Sequence, residues 1–370
     1  MRKLSVGLVG ATGEVGRSFV GCLSGHPFFQ LNDLYASERS AGKRYGDIVQ
    51  NVEMTEGISN ILVKKVSEID VKNSDIYFSA LPGSEAHKIE EDIAKLRPVF
   101  STTSAHRYEA DVPIIVPGAN EEHYRLLNEQ KQKRGWKGFV CPQSNCTTVG
   151  LAISLKPLYE IFGIQSVLMA SQQAVSGAGR ELEEKWHEQR KQQGVNLPSA
   201  VHYSKKTDEP VIEGNVIPYI KNEEEKVIKE TKKILGNYSD GRISEAAIKI
   251  AARCNRVPVK DGHSEDVFAF LEKPFSIEDV ISSWKSYKAE YQKYNLPSAP
   301  SQPIVYLEDA FSPQPRFDIT REDGMAVVIG RAQKNELDGL QYKVISHNTK
   351  LGAAKGCVLT AEYLCAEGAI

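Results

Sequence analysis

The chain is poor in the features that mark a special environment. Nowhere in its 370 residues do about 18 apolar residues run consecutively, which excludes a helical membrane span. Its six cysteines, Cys22, Cys141, Cys146, Cys254, Cys357 and Cys365, contain no CxxC pair, so neither a zinc site nor a disulfide framework is suggested and no metal is expected. Net charge is almost missing: 46 Lys plus Arg stand against 48 Asp plus Glu. That balance gives no electrostatic case for nucleic acid or an anionic membrane. Internal repeats, heptad runs and low-complexity tracts are absent, so filament and scaffold readings gain nothing. What remains is 41% hydrophobic and 25% charged, an ordinary globular composition long enough for two domains, with small molecules as the default partners.

The start, MRKLSVGLVGATGEVG, turns glycine-rich after a segment too brief and wrongly flanked for a signal peptide. A cytoplasmic address is the expectation. LSVGLVG, residues 4 to 10, reads as a buried parallel strand, and Val15, Phe19, Val20 and Leu23 continue with helical spacing. Gly10, Gly13 and Gly16 sit between them. Such a strand, glycine turn and helix lets backbone N–H groups and a helix N-terminus face a pyrophosphate. The GxxGxxG spacing is a variant of the usual dinucleotide fingerprint, and without its context it is only a tight turn.

The next strand ends in Ser37, Glu38, Arg39 and Ser40. Two hydroxyls and a planar guanidinium suit a ribose 2′-phosphate and therefore favour NADP. Glu38 is the wrong charge for that task and is expected to point to solvent. A plain polar loop is the competing reading. A further strand, residues 75 to 79, leads into the small-residue turn Ser79, Ala80, Leu81, Pro82, Gly83, which should border the same ligand.

In CPQSNCTTVGLAI, residues 141 to 153, Cys146 stands at the polar entrance of an apolar, helix-like run. A structural cysteine would more naturally sit inside the run. At a helix N-terminus the thiolate is favoured, so a depressed pKa and a nucleophilic role are expected. Beside a nicotinamide site, a thiolate serves attack on a carbonyl.

Taken in order, GATGEVG, ASERSAGK, SNCTT, SQQAVSGAG, DGHSEDV and HNTKLGAAKG span the chain. On these motifs the sequence resembles the aspartate-β-semialdehyde dehydrogenases of the archaeal and fungal branch. The resemblance implies an α/β fold: a Rossmann-like NADP-binding domain, residues 1–145, completed by a C-terminal helix in 347–370, and an α+β catalytic and dimerisation domain, residues 146–346. It implies reversible conversion of aspartyl 4-phosphate and NADPH into aspartate semialdehyde, NADP and phosphate, in the biosynthesis of threonine, methionine, lysine and isoleucine. A homodimer or homotetramer is implied as well.

The roles carried by the resemblance can be stated residue by residue. Cys146 forms the acyl-thioester, His263 is the acid/base group and Gln173 orients the reacting carbonyl, with Gln172 as the alternative. Arg256 clamps the α-carboxylate, with Arg253 competing for that task. Glu223 meets the α-ammonium, Lys226 and Arg107 bind phosphate, and Asn145 holds phosphate or the oxyanion. The cofactor is expected against Gly10, Thr12, Gly13, Glu14, Val15, Gly16, Ser37, Arg39, Ser40, Ser79, Ala80, Leu81, Gly83, Ser176, Gly177 and Asn348. On charge pattern alone, residues 222 to 236 read as a solvated helix, and a single His as a packing residue.

The proline-rich stretch 296–318 is expected to lack regular structure and to lie over the second domain. Rival functions are a malonyl-CoA reductase on the same fold, an N-acetyl-glutamyl-phosphate reductase, and an NADP-binding regulatory protein whose thiol senses redox state. A thiol protease would leave the glycine turn unexplained.

Overall fold

A computed structural model describes residues 2–50, 52–191 and 211–370. Six strands form the first sheet: β1 (Leu4–Val9), β2 (Phe29–Ala36), β3 (Val63–Lys65), β4 (Ile76–Ser79), β5 (Val99–Ser101) and β6 (Val140–Pro142). Their order is β3-β2-β1-β4-β5-β6, with every neighbour parallel. Because parallel strands need crossovers on the faces, they are buried on both sides, and β1 and β4 accordingly read as nearly unbroken apolar runs. The order reverses at β1, whose neighbours β2 and β4 lead in opposite directions. Crevices beyond the carboxyl ends at such a point hold ligands in open α/β sheets.

Helix α1 (Glu14–Leu23) follows β1 directly and buries Phe19, Val20 and Leu23 against the sheet. Helix α2 (Gly83–Ala94) follows β4. After β6, helix α3 (Cys146–Phe162) is buried almost all round from Thr147 to Leu155, exposes Glu160 and Ile161 near its far end, and packs on the second sheet.

That sheet contains β7 (Ile164–Gln173), β10 (Lys249–Arg256), β11 (His263–Leu271), β12 (Ile304–Leu307), β13 (Val327–Lys334) and β14 (Leu340–Ser346), in the order β10-β7-β11-β14-β13-β12. A separate hairpin pairs β8 (Asn237–Ser239) with β9 (Arg242–Ser244). Pairing is antiparallel along β7–β11–β14–β13, and among the described residues one face of these strands is partly exposed. Polar Gln172, Asp266 and Lys343 share that face with Leu168 and Phe268, which are cross-strand partners and 48% and 38% exposed.

The proline-rich stretch departs from its expectation. Residues Ile304–Leu307 form the edge strand β12, parallel to β13. Prolines flank this strand without interrupting it, and an edge position tolerates lost N–H donors on one side. The final helix α5 (Ala354–Ala366) returns to lie beside α1 and is tied there by a buried 2.8 Å contact between His26 Nε2 and Glu362 Oε1. The fourth functional helix, α4 (Glu223–Ile234), packs against α3 and β10.

Candidate active site

A cavity of about 910 Å³ runs from the glycine turn to Cys146. Gly10, Thr12, Gly13, Glu14, Val15 and Ser37 line one end, Ala80 and Leu81 the middle, and Ser176, Gly177 and Asn348 the far wall. Gly10 has φ +84, and a Cβ there would stand 2.6 Å from the Ala80 carbonyl, so only glycine lets the β1 and β4 turns meet. Gly16 lies beneath the turn, where a Cβ would overlap the Gly10 carbonyl. At Gly13 the wall is open: an added Cβ would meet only the Gly10 carbonyl, at 3.5 Å. The N-terminus of α1 therefore faces a space that a dinucleotide pyrophosphate fits.

Other expected cofactor residues are placed differently. Ser79 is fully buried at the end of β4, and Gly83, the first residue of α2, stands outside the cavity wall. Arg39 and Ser40 lie on the loop beyond β2, and Arg39 is exposed with no hydrogen bond or ion pair among the described residues. Glu38 turns to solvent and reaches Lys65 at 3.4 Å, as its charge requires.

Cys146 is the first residue of α3. The N-cap is Asn145, whose Oδ1 accepts from the N–H groups of Thr147 and Thr148 at 2.9 and 3.3 Å. Its amide Nδ2 donates to Glu223 Oε1 at 2.8 Å, and its backbone N–H to Glu230 Oε2 at 2.6 Å. The turn that presents the sulfur is thus held from α4. Cys146 Sγ lies 3.2 Å from His263 Nε2 and opens into the cavity.

The expected depression of the thiol pKa does not occur. Burial, reinforced by Glu223, pushes the Cys146 thiol up to about 12, against the opposing fields of Arg256, Arg107 and Lys226. Burial also pushes His263 down to about 3, helped by Arg256 and His347. The free protein therefore holds a neutral thiol beside a neutral imidazole. The Ala174 backbone N–H donates to His263 Nδ1 at 3.2 Å. Since that ring nitrogen accepts, the ring proton belongs on Nε2, which faces the sulfur as a donor.

Sheet register places the two members of each competing pair on opposite faces. Arg256 pairs with Gln173 across β10 and β7, so both point to the α3 side. His263 starts β11 on the same face, one position beyond the Ser264–Gln172 pair. Gln172 instead bonds Asp266 on the open face. Gln173 itself is buried and donates to Ser171 Oγ at 3.2 Å. Arg253 is exposed and pairs with Glu224, whereas Arg256 is buried and donates to the Ala174 carbonyl. Gly177 makes room for the Arg256 guanidinium and the neutral His263 ring: a Cβ would be 3.0 Å from His263 Cε1 and 3.2 Å from Arg256 Nη1.

Helix α4 is the element that sequence reasoning undervalued. Glu223, Lys226, Glu230 and Lys233 recur at i, i+3, i+7 and i+10, the spacing of a core stripe. Three of them are buried. Lys226 bonds Glu223 at 3.3 Å and lines the cavity. Glu230 is completely buried and joins Arg107 Nη1 (3.1 Å), Tyr108 Oη (3.2 Å) and the Asn145 N–H. Lys233 donates to the carbonyls of Arg107 and Glu109, both at 2.8 Å, and burial lowers its pKa to about 8. Charged residues at core spacing were the available signal for Glu230 and Lys233.

A nucleophile at a helix N-terminus, facing a dinucleotide-type crevice and ringed by cations, defines an oxidoreductase acting on an acyl or aldehyde carbon. Family comparison agrees. The profile described as semialdehyde dehydrogenase, NAD binding domain, matches residues 5–127, and that described as semialdehyde dehydrogenase, dimerisation domain, matches residues 155–351. The aspartate-semialdehyde dehydrogenase of Methanothermobacter thermautotrophicus is 38% identical over 366 residues, covering 98% of this chain and 99% of its own. The crystal structure of aspartate semialdehyde dehydrogenase with NADP from Candida albicans superposes with a TM-score of 0.83 at 35% identity, over 100% of both chains. Malonyl CoA reductase (NADP) of Metallosphaera sedula is 33% identical over 379 residues, covering 100% of this chain and 99% of its own. The chain belongs to the semialdehyde dehydrogenase family.

Proposed function

We propose that the protein is an NADP-dependent aspartate-semialdehyde dehydrogenase that reduces aspartyl 4-phosphate to aspartate semialdehyde, releasing phosphate. The observation that carries this reading is the charge set acting on Cys146 Sγ: Arg256, Arg107 and Lys226 on one side of the balance, Glu223 on the other. It complements a substrate with an α-carboxylate, a phosphate and an α-ammonium. Arg256 suits the carboxylate, Arg107 and Lys226 the phosphate, and Glu223 the ammonium.

Attack by sulfur on the acyl carbon forms the C–S bond and expels phosphate, and the thiol proton leaves on the phosphate oxygen. His263 Nε2–H lies where it can donate to the sulfur as it loses its proton, and then to the oxyanion of the tetrahedral adduct. Gln173 lies on the same face of the sheet and assists in orienting the carbonyl. NADPH, when bound, would supply a hydride to the thioester carbon; the Cys146 hemithioacetal oxyanion, held by His263 Nε2–H, reforms the carbonyl as the C–S bond breaks, and the released thiolate takes a proton from solvent. Gly13 and the α1 N-terminus would hold its pyrophosphate, Arg39 its 2′-phosphate, and Asn348 the wall nearest the sulfur.

The malonyl-CoA reading is disfavoured by Glu223. A malonyl group has no ammonium, so this 95% buried carboxylate would keep Lys226, the Asn145 amide and the Thr147 hydroxyl as partners but would meet no cationic group on the substrate. Initial rates with aspartate semialdehyde, phosphate and NADP, beside malonyl-CoA with NADPH, test the choice. Turnover confined to malonyl-CoA overturns the proposal, and NADP binding without either reaction would favour a redox sensor.

The same reading assigns residues 1–145 and the C-terminal segment to the cofactor domain and 146–346 to the catalytic domain. Among the described residues no helix is long and apolar enough to cross a membrane, and a cytoplasmic site of biosynthesis fits the reaction. With a dimerisation domain in the chain, the open face of the second sheet around Leu168 and Phe268 is the surface that a homodimer, or the dimers of a homotetramer, would bury.

A further inference from the structure

Apart from the cavity, one cluster of groups among the described residues is arranged like a ligand set. His87 lies on α2, and His106 and Glu109 lie on the loop that also carries Arg107. Their donor atoms all fall within 4.8 Å of one another. Glu109 Oε1 is 2.8 Å from His106 Nδ1 and 3.2 Å from His87 Nε2, so one oxygen serves both rings. The two rings stack with centroids 4.3 Å apart, which aims their nitrogens at the same oxygen. Tetrahedral ligands about 2.0–2.2 Å from a metal stand roughly 3.3 Å apart; the two contacts to Glu109 Oε1, at 2.8 and 3.2 Å, lie close to that spacing, and the third pair is no more than 4.8 Å apart.

The second line of argument lies behind His106. Its ring is fully buried, and its Nε2 has no hydrogen-bond partner. The nearest carboxylate oxygen, Glu90 Oε2, is 3.6 Å away and is itself buried and unpartnered. The other Glu90 oxygen accepts from Ser101 Oγ at 2.7 Å. A metal-bound histidine characteristically points its second ring nitrogen at a carboxylate, which fixes its orientation and raises its basicity. Both orphaned atoms would thereby be satisfied. Glu109 is oriented in the same way, since its other oxygen accepts from Arg134 Nη2. His87 and Glu109 are 52% and 27% exposed in their side chains, which leaves solvent access on one side for entry and for a bound water.

We propose that His87 Nε2, His106 Nδ1 and Glu109 Oε1 form a binding site for a divalent cation of the zinc class, with Glu90 as the carboxylate behind His106. Two imidazoles and one carboxylate suit Zn²⁺ or Co²⁺ and are poor ligands for Mg²⁺ or Ca²⁺, which prefer all-oxygen shells. A bound ion would join α2 to the loop one residue before Arg107 and so fix the loop that presents that guanidinium. It takes no part in the reaction proposed above, and its test does not depend on that reaction.

The experiment is a Co²⁺ titration of the Cys146→Ala protein, which removes the one thiol open to the cavity, followed by visible absorption. One equivalent should bind with the bands of nitrogen and oxygen ligation, be displaced by Zn²⁺ and persist in excess Mg²⁺. His87→Ala, at an exposed position that tolerates truncation, should abolish the bands. Glu90→Gln should weaken binding by about 10-fold to 100-fold. In the parent protein Zn²⁺ should raise the melting temperature, and in His87→Ala it should not. Absence of saturable binding, binding unchanged by His87→Ala, or a thiolate-to-cobalt charge-transfer band would each overturn the site.

Discussion

Cys146 Sγ and His263 Nε2 stand 3.2 Å apart although 117 residues separate them in the chain. The one comes from the entry of α3, the other from the first residue of β11, and α3 packs on the sheet to which β11 belongs. Replacing Cys146 by Ala should abolish turnover while NADP affinity stays within about twofold, because the phosphates are held at the far end of the cavity. Turnover near that of the parent would sink the covalent route. Cys141 and Cys254, both buried away from the cavity, should tolerate Ser with most activity retained.

The protonation states give a pH prediction. A thiol at about 12 is protonated throughout the neutral range, so its thiolate fraction rises with pH without a plateau. Alkylation of Cys146 by iodoacetamide in the free protein should accelerate roughly tenfold per pH unit from about pH 6 to 10. His263, at about 3, is neutral across this window and adds no inflection. A rate that levels off near pH 7 would mean a thiolate–imidazolium pair instead.

Arginine 256 and arginine 253 should separate cleanly. Arg256→Lys keeps a buried charge but loses the planar fork that would position the substrate carboxylate, and kcat/KM should fall by about two orders of magnitude if the reacting carbon is misplaced by about 1 Å. Arg253→Lys, on the exposed face, should change little. Equal sensitivity of the two variants would refute the assignment.

Glu230 should matter as much as the residues nearer the sulfur. Glu230→Gln leaves Arg107 buried without its carboxylate and weakens the hold on the Asn145 N–H, a loss of roughly 3–5 kcal/mol when one partner of a buried pair is removed. Both the melting temperature and the affinity for phosphate should drop. Tyr108→Phe, which spares the ion pair, should stay close to the parent. A Glu230→Gln protein with unchanged phosphate KM would remove α4 from the positioning scheme.

In the proposed reading, Arg39 holds the 2′-phosphate of NADP. Loss of a charge-assisted bond contributes about 1.5–3 kcal/mol, so Arg39→Ala should narrow the preference for NADP over NAD by about tenfold or more. Equal use of both cofactors by the parent protein would contradict the prediction.

Local chemistry was enough to make much of this protein legible from its sequence. Apolar runs with glycine turns mark β1 and the entry to α1, because parallel strands are buried on both faces and a phosphate crevice excludes side chains. Cys146 could be placed at a helix start because a polar entrance and an apolar run are neighbours in the chain, whereas the capping role of Asn145 came only from the structure. Tertiary structure alone decided what depends on distant partners. It gave Arg256 and Gln173 the site face and turned Arg253 and Gln172 away, since register across β10, β7 and β11 sets which side chains share a side. It also reversed the expected ionisation of Cys146. The helix N-terminus is a local feature that favours thiolate, but burial among α3, β11 and the Glu223 carboxylate is a property of the assembled fold, and desolvation outweighs the helix end.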